Sequence, residues 1–259
     1  MRLDVYLTNN GFCESRAKAQ DAINEGRVKV NGKTAKKSSM PISEDMHIEI
    51  EDAEIAFASR AGFKLYDVLE RFNIDLKNRV CLDIGASTGG FTDVCLQNGA
   101  SFVYAVDVGR DQLIKRLRED SRVANMEGIN CRYISADMFP LKPTFLCMDV
   151  SFISIKQILP VIAKEFEDIE MVVLVKPQFE AGKENIGKHG IVKNEKVHIE
   201  VLKSMCEFVT SLGFYVHDLC ASSVLGRDGN KEFVMHIKCQ ECHKVFPFKE
   251  IVKNYQVKR

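Results

Sequence analysis

The chain has 259 residues, 46% of them hydrophobic and 28% charged, and its 36 basic residues balance 36 acidic ones. That length accommodates one large domain plus a small one, and the composition is that of an ordinary globular protein rather than a disordered or fibrous one. Zero net charge excludes a chain-wide basic surface, no apolar run reaches bilayer length and the N-terminus has no secretory pattern, so the expectation is a cytoplasmic protein without a membrane partner.

Charge is nonetheless uneven. Residues 1–40 hold eight Lys or Arg against four acids, a local basic face. Leu3, Val5 and Leu7 make a short apolar start. Ser15 is placed to cap a helix over 16–24, and Gly26 stands where a helix C-terminus needs a residue free to enter the left-handed region. Val28–Val30, the pair Asn31-Gly32 and Lys33–Ala35 give a hairpin pattern. The alternation His47-Ile48-Glu49-Ile50 suggests a further strand. The acidic run Glu51-Asp52-Ala53-Glu54 closes this first domain at residue 54, with 55–58 as a linker and a second domain over 59–259.

In the second domain, Leu65, Val68, Leu69 and Phe72 recur at helical spacing. Strands and helices then alternate: strands over 80–83, 102–107, 132–134, 145–149 and 171–176, and helices to about residue 97 and over 112–119, 155–164 and 196–212. This alternation predicts an α/β, Rossmann-like doubly wound sheet. The segments 214–221 and 232–237, joined by a short loop, predict an antiparallel hairpin at one edge.

The run Asp83-Ile84-Gly85-Ala86-Ser87-Thr88-Gly89-Gly90 follows the first of these strands and opens a helix, and the next strand ends at Asp107. Strand, glycine turn, helix, strand and acid together form a nucleoside-cofactor pattern. The spacing is neither G-x-G-x-x-G nor a phosphate loop. An acid ahead of the glycines repels phosphate and suits a cationic, amine-bearing ligand, which favours S-adenosylmethionine over NAD or ATP. On this reading Asp83, Gly85, Ser87, Gly89 and Gly90 hold the methionine end, Asp107 the ribose and Asp137 the adenine amino group. Ligands of such sheets sit at the strands' carboxyl ends, where Asp83, Asp107, Asp137, Asp149 and Lys176 fall in succession. Nine scattered cysteines read as free thiols, and Cys239-Gln240-Glu241-Cys242-His243 as a chance match to a haem-attachment pattern, so no metal is expected.

Two resemblances sharpen the reading. Arg2-Leu3-Asp4, Ser15-Arg16-x-x-Ala19-Gln20, Ile23 and Gly26-Arg27-Val28-x-Val30-Asn31-Gly32 resemble the alpha-L RNA-binding fold of a small-subunit ribosomal protein, a small α+β domain. The resemblance implies that Arg2, Arg16, Lys18, Arg27 and Lys29 contact structured RNA. The motifs SRAGFKL (59–65), DIGASTGGF (83–91), MDVSFIS (148–154), VLVKPQFEAG (173–182) and GNKEFVMHI (229–237) resemble the TlyA family, known both as haemolysin A and as ribosomal-RNA 2′-O-methyltransferase, with an FtsJ-like catalytic domain. It implies a catalytic Lys-Asp-Lys-Glu set at Lys64, Asp149, Lys176 and Glu232, and ribosomal RNA within a subunit as partner. Arg60, Lys183 and Lys188 join the candidate RNA contacts, the last two on a glycine-bearing segment (183–193) read as a lid that orders on RNA. An RNA-binding protein with a degenerate methyltransferase domain, a base methyltransferase and a pore-forming haemolysin are the competing readings.

Overall fold

A computed structural model describes residues 1–13, 16–24, 26–43, 46–50, 57–187, 190–226 and 229–255. The chain divides into two compact units, Met1–Ala56 and Phe57–Arg259. The predicted Ser15 cap, the 51–54 run and Lys188 lie outside the described residues.

In the first unit, helices α1 (Leu3–Asn9) and α2 (Arg16–Asn24) pack with a three-stranded antiparallel sheet of β1 (Val28–Val30), β2 (Lys33–Thr34) and β3 (Ile48–Ile50), in the order β2-β1-β3. The apolar start is therefore a helix: Leu3 and Leu7, four apart, are both fully buried beside Ala19, Ala22, Ile23 and Val28. Its alternating apolar residues imitate a strand, but helical spacing fits the one-sided burial better. Asp4 is the polar centre of this unit. Its carboxylate is fully buried and accepts from Arg2 Nε (3.0 Å), Arg16 Nη2 (3.0 Å) and Gln20 Nε2 (2.9 Å).

The second unit is built on a seven-stranded sheet in the order β6-β5-β4-β7-β8-β10-β9. Its strands are β4 (Val80–Ile84), β5 (Phe102–Asp107), β6 (Val123–Glu127), β7 (Phe145–Met148), β8 (Glu170–Val175), β9 (Tyr215–Ala221) and β10 (Phe233–Lys238). The first five are parallel, and β10 runs antiparallel to both β8 and β9. Each central strand is apolar on both faces, as a sheet covered on both sides requires. Leu82, Val106, Met148 and Val173 pack under α6 (Leu159–Glu165) and α8 (Glu195–Ser211). Cys81, Val103, Phe145 and Val172 pack against α3 (Gly62–Arg71) and α4 (Gly90–Gln97).

Three sequence expectations change. The stretch 132–134 is not a strand: Cys131–Tyr133 forms a 3₁₀ turn, and the edge strand is β6, which begins nine residues earlier at Val123. β6 has only partly buried and exposed residues, so it carries too few apolar side chains to announce itself. The helix read over 112–119 shrinks to one turn, α5 (Lys115–Arg118). Phe57, within the stretch read as linker, is buried against Phe63 and Tyr66, at ring separations of 5.1 and 5.2 Å.

The arginine and amide bonds to Asp4 hold its carboxyl well below the usual carboxylate range. Its contribution to stability is thus present above pH of about 4 and lost as the pH falls below that. Asp4→Ala should make residues 1–50 more protease-sensitive at neutral pH and leave them little changed in strong acid, as timed proteolysis would record.

Candidate active site

Strand order reverses between β4 and β7, each of which has further strands on its outer side, and a ligand crevice opens at the carboxyl ends there. A cavity of 1030 Å³ occupies this place, lined by the turn 84–88, by Asp107, by Ile129–Arg132 and by all four of Lys64, Asp149, Lys176 and Glu232.

Sheet register brings the last three of these together. Asp149 directly follows β7 and Lys176 directly follows β8. Because β10 is antiparallel, its first residue Phe233 pairs with Val175, the last of β8, so Glu232 enters at the same end of the sheet. Lys64 arrives from the first turn of α3. That helix approaches α4 closely: a Cβ at Gly90 would stand 2.4 Å from Ser59 Oγ, and one at Gly62 3.0 Å from Gly90 O.

The four charged groups form one chain of contacts. Lys64 Nζ donates to Glu232 Oε2 at 2.6 Å and to Asp149 Oδ2 at 3.3 Å. Asp149 Oδ1 lies 2.5 Å from Lys176 Nζ in an ion pair off the hydrogen-bond direction, and Lys176 Nζ donates to Ser151 Oγ at 2.9 Å. Lys64, Lys176 and Glu232 are buried and Asp149 nearly so. Burial alone would lower the Lys64 pKa, but Asp149 and Glu232 outweigh it and raise the value, so Lys64 stays a cation. Burial pushes the Asp149 carboxyl up, and the two lysines overcome that and lower it.

The glycine turn is tied to the same point. A Cβ on Gly85 would sit 2.5 Å from the Asp149 carbonyl oxygen, and Gly85 has φ of 85°, so no side chain is tolerated there. Gly85 and Ala86 donate their N–H groups to Val106 O. Asp107 accepts from Ser87 N (2.8 Å) and Gly109 N (2.7 Å), which fixes its carboxylate at the cavity wall. Glu127 accepts from the N–H groups of Asp111, Gln112 and Leu113, holding the segment that carries the cavity-lining Gln112.

Two predicted cofactor acids are placed elsewhere. Asp137 does not line the cavity and accepts from Ser135 Oγ, as a short turn acid does. The wall at that side is Ile129, Asn130, Cys131 and Arg132, which the misread strand concealed. Asp83 is fully buried; Thr92 Oγ1 donates to its Oδ2 at 2.7 Å, and its Oδ1 has no partner. Gly85, Ser87 and Gly90 line the cavity; Gly89, with φ of 97°, packs towards Leu113 and Leu117.

The candidate RNA contacts divide likewise. Arg2 and Arg16 spend part of their donors on Asp4, with about half of each side chain exposed. Lys18 is exposed, and Arg27 and Lys29 are half-buried; all three have partners within the protein. Arg60 and Lys183 are exposed. Within the segment read as a lid, Asn230 Nδ2 donates to Gly190 O (3.2 Å) and Val192 N to Asn230 Oδ1 (3.3 Å), and Val192 is buried in the core.

Sequence reasoning missed Ser151, Phe152 and Asn230, all cavity residues. Phe152 has φ of 64°, is 83% exposed and has its ring 5.5 Å from that of Phe179. An isolated aromatic in a motif carries no sign of exposure; only the backbone kink reveals it.

Burial raises the Asp83 carboxyl to about 7 despite the Thr92 bond, with Asp149 and Asp107 adding to the rise. The folded chain then binds this proton more tightly than the unfolded one. Stability is greatest in acid and falls as the pH climbs from about 4 through about 7. Asp83→Asn, which cannot ionise, should stabilise the ligand-free protein by on the order of 3 kcal/mol near pH 8 and by little near pH 4, measured by denaturant unfolding.

Comparisons with known proteins agree with this architecture. Residues 57–239 match the family described as FtsJ-like methyltransferase, and residues 1–48 match the S4 domain. Hemolysin A of Brachyspira hyodysenteriae is 42% identical over 91% of this chain and 99% of its own length. The 16S/23S rRNA (cytidine-2′-O)-methyltransferase TlyA of Mycobacterium tuberculosis is 36% identical over 92% of this chain and 90% of its own. A solved structure of a hemolysin candidate from Streptococcus thermophilus superposes with a TM-score of 0.80 at 40% identity, covering 98% of this chain and 95% of that one. The two-unit chain, with an S4 domain followed by a methyltransferase sheet, thus belongs to the TlyA/hemolysin A family of FtsJ-like methyltransferases.

Proposed function

We propose that this protein transfers a methyl group from S-adenosylmethionine to the 2′-oxygen of a cytidine ribose in ribosomal RNA, within a ribosomal subunit in the cytoplasm. The observation that carries the reading is the convergence of Lys64, Asp149, Lys176 and Glu232 on one cavity that also holds the glycine turn. The M. tuberculosis relative is named for cytidine 2′-O-methylation of ribosomal RNA, and the S4 domain supports an RNA partner.

The residues present suit the cofactor. Asp107, held by two backbone N–H groups, has acceptor capacity left for ribose hydroxyls, and Ile129 and Val108 offer apolar walls to an adenine. Asp83, two residues before Gly85 and with its Oδ1 unpartnered, favours a cation at the turn when it is ionised. When bound, S-adenosylmethionine supplies an electrophilic methyl group on a sulfonium. At 1030 Å³ the cavity stands at the upper end of the range of about 300–1,000 Å³ for single-ligand pockets, leaving room for a nucleoside beside the cofactor.

The remaining chemistry falls to the chain. A ribose 2′-hydroxyl is a weak acid and must shed its proton as the new bond forms. Lys176, at the cavity wall beside Asp149, takes that proton. Lys64, kept charged by two carboxylates, holds Asp149 in place and opposes accumulation of negative charge. In-line alignment of hydroxyl and methyl supplies the larger share of the acceleration. Exposed Phe152 offers a ring on which the target base stacks.

A pore-forming role has less support. Among the described residues no helix is long and apolar enough to cross a membrane. An RNA-binding protein with a dead catalytic domain would not be expected to retain all four charged groups in contact.

Transfer of tritium-labelled methyl groups to separated, unmodified large and small ribosomal subunits tests the proposal, followed by mapping of the labelled ribose. Lys176→Met should lower kcat by at least about a hundredfold with cofactor affinity retained. Label on a base nitrogen, or full turnover by that variant, would refute the reading. Phe152→Ala should raise KM for the subunit by about tenfold, and Phe152→Trp should restore it.

A further inference from the structure

We infer that Ser151 is a fifth working member of the charged cluster, a positioning residue that aims Lys176 Nζ at the target hydroxyl and provides the outlet for the proton it collects. This rests on the proposed role of Lys176 as proton acceptor. Ser151 lines the cavity, is exposed, and its Oγ accepts from Lys176 Nζ at 2.9 Å.

The lysine nitrogen is tetrahedral. One position belongs to Cε, and Ser151 Oγ at 2.9 Å takes a second as a hydrogen-bond acceptor, while Asp149 Oδ1 at 2.5 Å attracts the group as an ion pair off the hydrogen-bond direction. These are the two partners of Lys176 Nζ among the described residues. A position not taken by Ser151 is available to a substrate hydroxyl in the cavity that Lys176 lines. In the neutral amine this position carries the lone pair, provided the other two keep their N–H groups. Asp149, off the hydrogen-bond direction, fixes no N–H of this group; the bond to Ser151 Oγ is what restricts rotation about Cε–Nζ.

The two partners also differ in chemistry. A carboxylate only accepts, whereas a hydroxyl accepts and donates. In the transfer step the O2′–methyl bond forms, the sulfur–methyl bond breaks with its electron pair going to sulfur, and the hydroxyl proton passes to Lys176 Nζ. That proton must leave before the next turnover. Asp149 is shared with Lys64 and nearly buried. Ser151 can accept the proton from Lys176 while releasing its own to water, so atoms and charge balance with water as the final acceptor.

The backbone is built to hold Ser151 there. Phe152, the next residue, takes the left-handed conformation with φ of 64°, which a non-glycine residue keeps only when its surroundings enforce it. The enforcement comes from Glu180, which accepts from Ser154 Oγ at 2.6 Å and Ile155 N at 2.9 Å. Glu180 lies four residues beyond Lys176, so the segments carrying Ser151 and Lys176 are tied to each other.

The test is steady-state methyl transfer to purified ribosomal subunits by Ser151→Ala and Ser151→Thr, with S-adenosylhomocysteine affinity by calorimetry confirming a folded site. Ser151→Ala should lower kcat about tenfold while KM for cofactor and subunit stays within about twofold, and Ser151→Thr, which keeps the hydroxyl, should recover most of the loss. Wild-type kcat in Ser151→Ala would overturn the inference, as would a loss in KM alone or a Ser151→Thr variant as slow as Ser151→Ala. Lys176→Met, assayed alongside, separates the failures. If it turns over normally, the proton-acceptor reading falls and this one with it; if it is inactive while Ser151→Ala is unimpaired, only the role of Ser151 falls.

Discussion

The site depends on one shared carboxylate. Asp149 stands between Lys64 and Lys176, one oxygen towards each, and both lysines are buried. Removing one member of such a buried set leaves an uncompensated charge, at a cost of about 3–5 kcal/mol. The cluster therefore behaves as a unit. Its position is dictated by the sheet: β7 and β8 deliver Asp149 and Lys176 by parallel pairing, while β10 must run the other way to deliver Glu232 from just ahead of its first residue, Phe233. The antiparallel insertion of β10 between β8 and β9 is thus what allows a residue 56 positions beyond Lys176 to join the same few ångströms. A seventh strand laid parallel would have put its leading residue at the opposite end.

Acids at strand ends look alike in a sequence and differ in the structure. Asp107 receives two backbone N–H groups and stays at the cavity wall as an acceptor. Asp149 receives two cations. Asp83 receives one hydroxyl, is sealed from solvent and is the one whose carboxyl is pushed up to about 7. The same side chain is held as a backbone-bonded acceptor, an ion-pair partner or a buried carboxyl of raised pKa according to what the neighbouring elements supply.

Most of the second unit was legible because its central strands are apolar on both faces and end in charged residues, a pattern only a covered parallel sheet produces. The errors share a cause. β6 lies at the sheet edge with one neighbour and no fully buried residue, so it lacks the apolar run that marks its companions. Missing it moved the strand to 132–134 and hid Asn130–Arg132. Leu3–Asn9 was ambiguous because three apolar residues at alternate positions fit a strand as well as one face of two helical turns. The four charged residues were legible by family resemblance; their spacing along the chain says nothing of contact. Ser151 was in plain view within MDVSFIS, yet a serine in a loop has no distinguishing pattern until Lys176 is seen to reach it.

The first unit makes the same use of a buried acid for a different end. Arg2 and Arg16 are oriented by Asp4 rather than left to solvent, and about half of each side chain remains accessible. A guanidinium carries five donors in a planar fork, so engaging one or two with Asp4 leaves others for phosphate oxygens. Holding the fork in advance reduces the rotamer entropy lost when RNA binds, which for a long side chain is about 0.5–1.5 kcal/mol. A chain with no net charge can in this way still present positive groups: about half of the Arg2 and Arg16 side chains stays exposed, while the Asp4 carboxylate that holds them is turned inward. In both units a buried carboxylate holds basic side chains in place; about half of Arg2 and Arg16 stays exposed, whereas Lys64 and Lys176 are drawn in.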